Sequence, residues 1–396
     1  MGQDTAINTR IVGRDCLAER RAVSPFGVLL VGNFLSAARL GSCTVCELLA
    51  ERLAATGWTV LTTSAKSARF SRLADMLTTV WRRRREYAVA QVDVYSGPSF
   101  IWAESVCWLL GRLGKPFVLT LHGGNLPAFA KHWPGRVRRL LNFASVVTTP
   151  SRYLQQALRL YRDDLLFLPN AIDLASYPFR LRSNPKPKLV WLRALHGIYN
   201  PCMAVRTVVH LLEMGNLGYP TSDLRPPTSD LHLTMFGPDK GDGTLQRLKA
   251  EIQKLKLGER VRLEGPVAKP DVPKALNSGD IFLNTTNHES FGVSVMEAAA
   301  CGLCIVSTNV GELPFLWQDG SDALLVNPDD SAAMAAAVRR ILTDPGLAAR
   351  LSHNARAKAE QYDWSVILPQ WEQILIKANR GRSAAGDFTD PAALNL

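Results

Sequence analysis

Apolar and polar positions along the chain repeat one order: a short uninterrupted apolar run, a turn of small residues, then a longer stretch with apolar residues at helical spacing. Gly27-Val28-Leu29-Leu30-Val31-Gly32 is such a run and predicts a buried strand. A Gly/Ser/Ala-rich loop and a helix from about Thr44 to Thr56 follow, and Trp58 to Leu61 predicts the next strand, a β-α-β opening. Val92 to Tyr95, Pro116 to Thr120 and Ser145 to Thr148 predict further strands with helical stretches between them. The alternation restarts after Arg182-Ser183-Asn184-Pro185-Lys186-Pro187, whose two prolines disfavour regular structure. Strands are then expected at Lys188 to Leu192, His232 to Phe236, Val261 to Leu263, Ile281 to Asn284 and Cys304 to Ser307. The pattern is that of an α/β chain with two doubly wound parallel-sheet domains, residues 26–183 and 184–363. Residues 1–25 lack periodicity and 381–396 follow the last helical stretch, so both are expected to be flexible tails.

With 396 residues and 47% hydrophobic content the chain is long enough for two cores. No apolar run reaches the ~18 residues of a membrane span, and the first twenty residues lack the apolar stretch of a secretion signal. Cytoplasmic residence is the expectation. Cys43-x-x-Cys46 and Cys301-x-x-Cys304 have the spacing of a zinc or redox site, but both lie in apolar segments and read as reduced, buried small hydrophobes. Charge is uneven: up to residue 183 there are 24 Lys and Arg against 12 Asp and Glu, and after it 22 against 23. Arg82, Arg83, Arg84 and Arg85 follow Trp81, and Lys131, His132, Trp133, Arg136, Arg138 and Arg139 form a second cluster. Basic residues interleaved with tryptophan suit an anionic membrane surface or an acidic acceptor, with Arg82–Arg85, Arg136 and Arg139 as the facing residues; solvated helix faces are the plainer alternative. No pattern of a nucleic-acid module is present.

The chemistry concentrates after the strand at Ile281. Glu289 and Glu297 are separated by seven residues, with Gly292 between them and a helix expected from Val295 to Cys301. A strand-to-helix turn at the carboxyl end of a parallel sheet is where such sheets bind ligands. There the amides of Val293 and Ser294 and the helix dipole favour an anion, and Gly292 lets a phosphate approach the backbone. Two carboxylates beside a phosphate cradle suit a ligand bearing phosphate and many hydroxyls, a nucleotide sugar. His122 follows the strand at 116–120 above Gly123 and Gly124, placed to donate to a sugar hydroxyl. Arg193 ends the first strand of the second half, where a guanidinium can hold a diphosphate bidentately. The first β-to-α loop has no G-x-G-x-x-G, which argues against a nicotinamide dinucleotide. No Asp-x-Asp is present, so no metal is expected.

His288-Glu289-Ser290-Phe291-Gly292-Val293-Ser294-Val295-Met296-Glu297 resembles the E-x7-E signature of retaining glycosyltransferases of the GT-B fold, family 4, and the likeness runs over most of residues 26–375. The resemblance implies two Rossmann-like domains facing a central cleft, the first for the acceptor and the second for a nucleotide-sugar donor, with a last helix at 364–380 crossing back to the first. It implies that Glu289 faces the donor sugar, with His122 near it across the cleft, and that Glu297 faces the ribose with Arg193 close by. Ser290, Phe291, Gly292, Val293 and Ser294 would line the donor loop. Gly237 would form a nucleotide-side turn, and Gly41 in the first loop would approach the donor phosphates. The nucleotide sugar is then a substrate, no cofactor is needed, and the acceptor is a hydroxyl compound, lipid-linked ones included. The sequence departs from the family at Tyr199, where a phosphate-binding Lys is usual. An epimerase or phosphorylase on the same plan, or a non-catalytic sugar-nucleotide scaffold, are the alternatives. Pro150-Ser151 and Pro169-Asn170 resemble architectural turns of the family, and the duplicated Pro-Thr-Ser-Asp-Leu at 220–224 and 227–231 reads as a tolerated surface expansion.

Overall fold

The computed structural model describes residues 26–34, 44–216 and 230–380. The two tails, Gly41 with most of the first loop, and most of the duplicated segment lie outside the described residues. In the first half the strands are β1 (Val28–Val31), β2 (Val60–Thr63), β3 (Val89–Val94), β4 (Phe117–Leu121), β5 (Val146–Thr149) and β6 (Leu166–Phe167), paired in parallel in the order β2-β1-β3-β4-β5-β6. The helices are α1 (Val45–Ala55), α2 (Arg69–Arg82), α3 (Phe100–Arg112), α4 (Leu126–His132), α5 (Pro134–Phe143) and α6 (Arg152–Leu158). The second half repeats the plan with β7 (Lys188–Leu192), α7 (Pro201–Asn216), β8 (His232–Phe236), α8 (Thr244–Lys254), β9 (Val261–Gly265), α9 (Val272–Asn277), β10 (Ile281–Asn284), α10 (Val293–Ala300), β11 (Cys304–Thr308), α11 (Leu313–Leu316), β12 (Leu324–Val326), α12 (Ser331–Thr343) and α13 (Pro345–Glu360). Its parallel sheet has the order β12-β11-β10-β7-β8-β9.

The inner strands β1, β4, β10 and β11, with β5, are buried on both faces and read as apolar runs, whereas β8 and β9 toward one edge alternate buried with more exposed positions. Met76, Val80, Val106, Leu110, Leu140 and Leu154 from α2, α3, α5 and α6 cover one face of the first sheet. The other face is covered by Leu49 and Leu53 of α1 together with Trp364, Ile367, Trp371 and Leu375 of α14 (Trp364–Arg380). Those four recur at helical spacing, so α14 returns from the second half and lays one apolar stripe on the first sheet. Glu372 fixes the dock by accepting hydrogen bonds from Trp58 Nε1 (3.0 Å) and Thr56 Oγ1 (3.0 Å). The second strand begins two residues later than its apolar run suggested, because Trp58 closes the end of α1: its amide donates to the Leu53 carbonyl (3.1 Å) and its side chain is buried. Strands β6 and β12 have two and three residues, too short for a periodic signal.

The strand order reverses beside β1 and β3 in one sheet and beside β7 and β10 in the other. The loops leaving these strands diverge there and open a crevice at the carboxyl ends, the position at which doubly wound sheets hold ligands.

Candidate functional site

The site is built at the carboxyl ends of strands from both sheets. Arg193 follows β7, Glu289 lies in the loop after β10, and the adjacent pairing of these two strands (Phe282 with Val190) brings them together across 96 positions of sequence. Glu289 is 5% exposed, and its carboxylate is fully engaged. Oε1 accepts the amides of Ser290 (3.0 Å) and Phe291 (3.3 Å), and Oε2 forms a short ion pair with Arg193 Nη2. Arg193 Nη1 also donates to Ser294 Oγ (3.2 Å), and its buried Nε has no protein partner among the described residues. The ring of Tyr199 lies 4.5 Å from the guanidinium, so the aromatic face stacks on the cation.

Helix α10 starts immediately beyond. Gly292 at φ +93° makes the turn, a left-handed conformation that glycine adopts without strain, and no side chain caps the helix. Its first-turn amides and positive dipole end lie next to Arg193, which donates to Ser294 in that turn. Val293 is partly exposed and Ser294 is buried. The Phe291 ring, in the expected donor loop, is 3% exposed and packs edge-on to Tyr362 at 5.9 Å, so it anchors the loop in the core. Gly237 sits against the Arg193 backbone, whose amide donates to the Phe236 carbonyl (3.0 Å), and so supports the end of β7.

Glu297, one turn into α10 and 4% exposed, accepts from the Tyr177 hydroxyl (2.8 Å) and forms a short ion pair with Lys269. The sequence reading placed Arg193 beside Glu297; in the structure Arg193 meets Glu289 and Lys269 takes Glu297. Burial raises the Tyr177 hydroxyl well above its usual range, with the Glu297 charge adding to it, so it stays a donor at neutral pH. Nothing in the sequence pointed to Lys269, which follows β9 and is 28 positions from its partner.

From the first half, His122 ends β4 and its Nε2 lies 3.1 Å from Asp93 Oδ1, while Tyr95 stacks on the imidazole at 5.1 Å. Asp93 also accepts from Gln91 Nε2 (2.8 Å) and lines a cavity of about 280 Å3 with Asn33, Arg72, Tyr95 and Trp102. Asp93 was missed, although a carboxylate inside the apolar run Val89–Val94 was a visible signal. Two residues past His122, Gly124 faces the Glu289 backbone at ordinary contact distance: a methyl group there would lie 4.0 Å from the Glu289 carbonyl carbon. The His122 loop and the Glu289 loop thus face each other across the crevice. Of the basic residues, Arg82, Arg83, Arg85 and Arg139 are exposed, Arg83 pairs with Glu86, and Arg84 lies over Trp81. Arg136 is held by Glu104 through its Nε (3.0 Å) and Nη2, which neutralises much of its charge.

Glu312 ties the halves together. It is 1% exposed, and its Oε2 accepts from Ser151 Oγ (2.8 Å) and the Tyr153 amide (2.8 Å) at the start of α6. Its own amide donates to the Glu289 carbonyl (3.1 Å). Gly311, at φ +57°, admits this contact: a methyl group there would sit 1.9 Å from the same carbonyl oxygen. Burial raises the Glu312 carboxyl above its usual range, against the lowering effect of the Tyr153, Arg152 and Ser151 donors. A raised folded value means the folded state holds the proton more tightly. The stability from this group is full below the unfolded carboxylate range and falls as pH rises through the raised folded value. Thermal melts from mildly acidic to neutral pH should show Glu312→Gln, which keeps the acceptor without the charge, losing this component and melting at or above the parent at neutral pH. Glu312→Ala orphans two buried donors and is expected to cost about 2 kcal/mol.

Two facing doubly wound sheets with a crevice at their switch points, crossed by a returning last helix, define the GT-B class. A solved structure of the same plan is that of Anabaena Alr3699/HepE in complex with UDP and glucose, 18% identical, with a TM-score of 0.66 over 89% of this chain and 99% of that one. That likeness carries the fold. The family model "Glycosyl transferases group 1" matches residues 222–358, and "Glycosyltransferase Family 4" matches residues 41–176. The chain belongs to the group 1, family 4 glycosyltransferases of the GT-B fold. It is 28% identical over 149 residues to a D-inositol 3-phosphate glycosyltransferase of Streptomyces bingchenggensis, covering 37% of this chain and 33% of that protein. It is 31% identical over 143 residues to a glycogen synthase of Mycobacterium tuberculosis, covering 36% and 34%. The chain thus matches about a third of the length of these two relatives.

Proposed function

We propose that the protein is a retaining glycosyltransferase that moves a sugar from a nucleotide-sugar donor to a hydroxyl acceptor in glycan, polysaccharide or glycolipid biosynthesis. The observation that carries this reading is the cluster of Glu289, Arg193 and the α10 N-terminus facing the His122 loop across the crevice. In the donor complex Arg193 and the first-turn amides of α10 meet the diphosphate, so its charge is neutralised by protein groups and no metal is needed. Glu289, released from part of its contact with Arg193, accepts from sugar hydroxyls, and Glu297 with Lys269 and Tyr177 takes the ribose side. The solved relative holding UDP and glucose supports a uridine nucleotide as the first donor to try.

The bond from the anomeric carbon to the diphosphate oxygen breaks as the acceptor hydroxyl oxygen bonds to the same face of that carbon. The hydroxyl proton passes to the departing diphosphate oxygen. Attack and departure on one face keep the anomeric configuration, and stabilisation of the leaving diphosphate supplies the rate gain. His122, its ring fixed by Asp93 and Tyr95, orients the sugar from the other side. Among the described residues no helix is long and apolar enough to cross a membrane. We place the enzyme in the cytoplasm, with its basic first half turned to an acceptor at an anionic surface.

A thermal-shift series with nucleotide sugars and free nucleoside diphosphates tests the donor. A ligand at a hundred times its Kd should stabilise by about 2.7 kcal/mol, and Lys269→Ala should remove much of the shift given by a free nucleoside diphosphate. No shift with any nucleotide sugar would overturn the reading. The stacking of Tyr199 on Arg193, where a second cation is usual, favours one other reading, a non-catalytic sugar-nucleotide binder. Binding without transfer or donor hydrolysis would decide for it.

A further inference from the structure

We propose that the outer surface formed by α2, α3 and α5 docks on an anionic lipid bilayer. These helices lie side by side on one face of the first sheet with their apolar residues turned inward. Three tryptophans stay on the outside: Trp81 at the end of α2, Trp108 on α3 and Trp133 at the junction of α4 and α5, exposed by 52%, 51% and 51%. Each carries a guanidinium over its ring, Arg84 at 4.5 Å, Arg112 at 5.3 Å and Arg136 at 5.6 Å. Ile101, Trp108 and Arg112 are seven and four residues apart and form one outward stripe of α3. Half-exposed Phe143 extends the apolar surface from α5, its ring against Gly111 of α3, where a methyl group would lie 2.0 Å from it.

Charge sets the partner. From residue 69 to residue 145 there are 12 Lys and Arg against 4 Asp and Glu. Three of the four acids are engaged: Glu86 with Arg83, Glu104 with Arg136 and Asp93 with His122. A surface that sets indoles beside arginines on three adjacent helices fits an extended target with an anionic outer layer and an apolar layer directly beneath. That is a bilayer leaflet, in which indole rings settle at the headgroup level and arginines pair with phosphates. A soluble acidic polymer would use the arginines alone, and it is the contrary outcome of the test below. The surface meets the crevice along α4, which starts two residues after Gly124 and ends beside Trp133. The docking itself does not rest on the transfer reaction; combined with it, the surface brings the first-half side of the crevice to a lipid-borne acceptor.

Vesicle flotation of the whole protein tests this, with phosphatidylcholine vesicles that contain or lack phosphatidylglycerol. Binding should be at least about tenfold stronger with phosphatidylglycerol and should weaken steeply with salt. The Trp81→Ala, Trp108→Ala, Trp133→Ala triple variant should lose about tenfold in binding. A second variant with Arg82, Arg85, Arg112, Arg138 and Arg139 changed to Gln, all exposed positions, should lose the preference for phosphatidylglycerol. Arg193→Ala, placed in the donor site, should float like the parent, so failure of the donor reading and failure of this one are distinguishable. The proposal is overturned if the parent does not float with anionic vesicles, if the triple variant floats like the parent, or if soluble polyglutamate binds while vesicles do not.

Discussion

Glu289→Ala is expected to lower sugar transfer by about 100- to 1000-fold and to destabilise the fold as well. The carboxylate is buried, holds two amides of its own loop and is the ion-pair partner of Arg193. Removing it leaves the Ser290 and Phe291 amides without an acceptor and a mostly buried guanidinium without its counter-charge, a loss of about 3 kcal/mol. Glu289→Gln separates the two effects. Its amide oxygen still accepts from the loop, so the melting temperature should fall less, while the lost charge should lower transfer nearly as far as the alanine does. Transfer rates at saturating donor beside thermal melts of both variants make the comparison. A glutamine variant within about threefold of the parent would remove Glu289 from the chemistry.

The second large effect belongs to Arg193. Arg193→Lys is expected to lower kcat/KM about 100-fold, and Arg193→Ala about 1000-fold. A lysine supplies a charge, but it cannot pair with Glu289, donate to Ser294 and lie flat against the Tyr199 ring in one geometry. Under the proposed donor pose, Tyr199 supplies a ring and no charge beside Arg193, so the loss of the guanidinium falls on the diphosphate directly. Steady-state kinetics with varied donor should show kcat falling along with a weaker KM. A lysine variant that keeps its kcat would mean that Arg193 only anchors the donor in its ground state. The double variant Glu289→Ala, Arg193→Ala should lose less than the product of the single losses, since the two side chains act as one unit.

The residues proposed for the candidate site were chosen from local patterns. The spacing of Glu289 and Glu297 around Gly292, His122 above two glycines and Arg193 at the end of a strand are arrangements of neighbours, and neighbours are what a sequence displays. The partners were not legible. Arg193 was placed beside Glu297, yet it closes on Glu289, because β7 lies beside β10 in the sheet and their carboxyl ends deliver both side chains to one point. Nor was it legible that the turn before α10 sends the Phe291 ring into the core. Lys269 and Glu312 gave no signal, Asp93 showed only as a carboxylate inside an apolar run, and each matters through a contact made 28 or more positions away.

The sequence by itself determined the class of fold and the place of the candidate site in it. The alternation of apolar runs with helical stretches, the proline-bearing break at 182–187 and the turn chemistry around Gly292 are local, and local preference is enough to set strands, helices and their order. The tertiary structure alone decided which charges meet: Glu289 with Arg193, Glu297 with Lys269, His122 with Asp93, and Glu312 with the start of α6. It also decided that three tryptophans far apart in sequence share one outer layer of helices. The physical reason is the same in every case. Parallel strands bring residues together through crossovers whose lengths carry no periodic trace, so the pairing exists only once the sheet order is fixed.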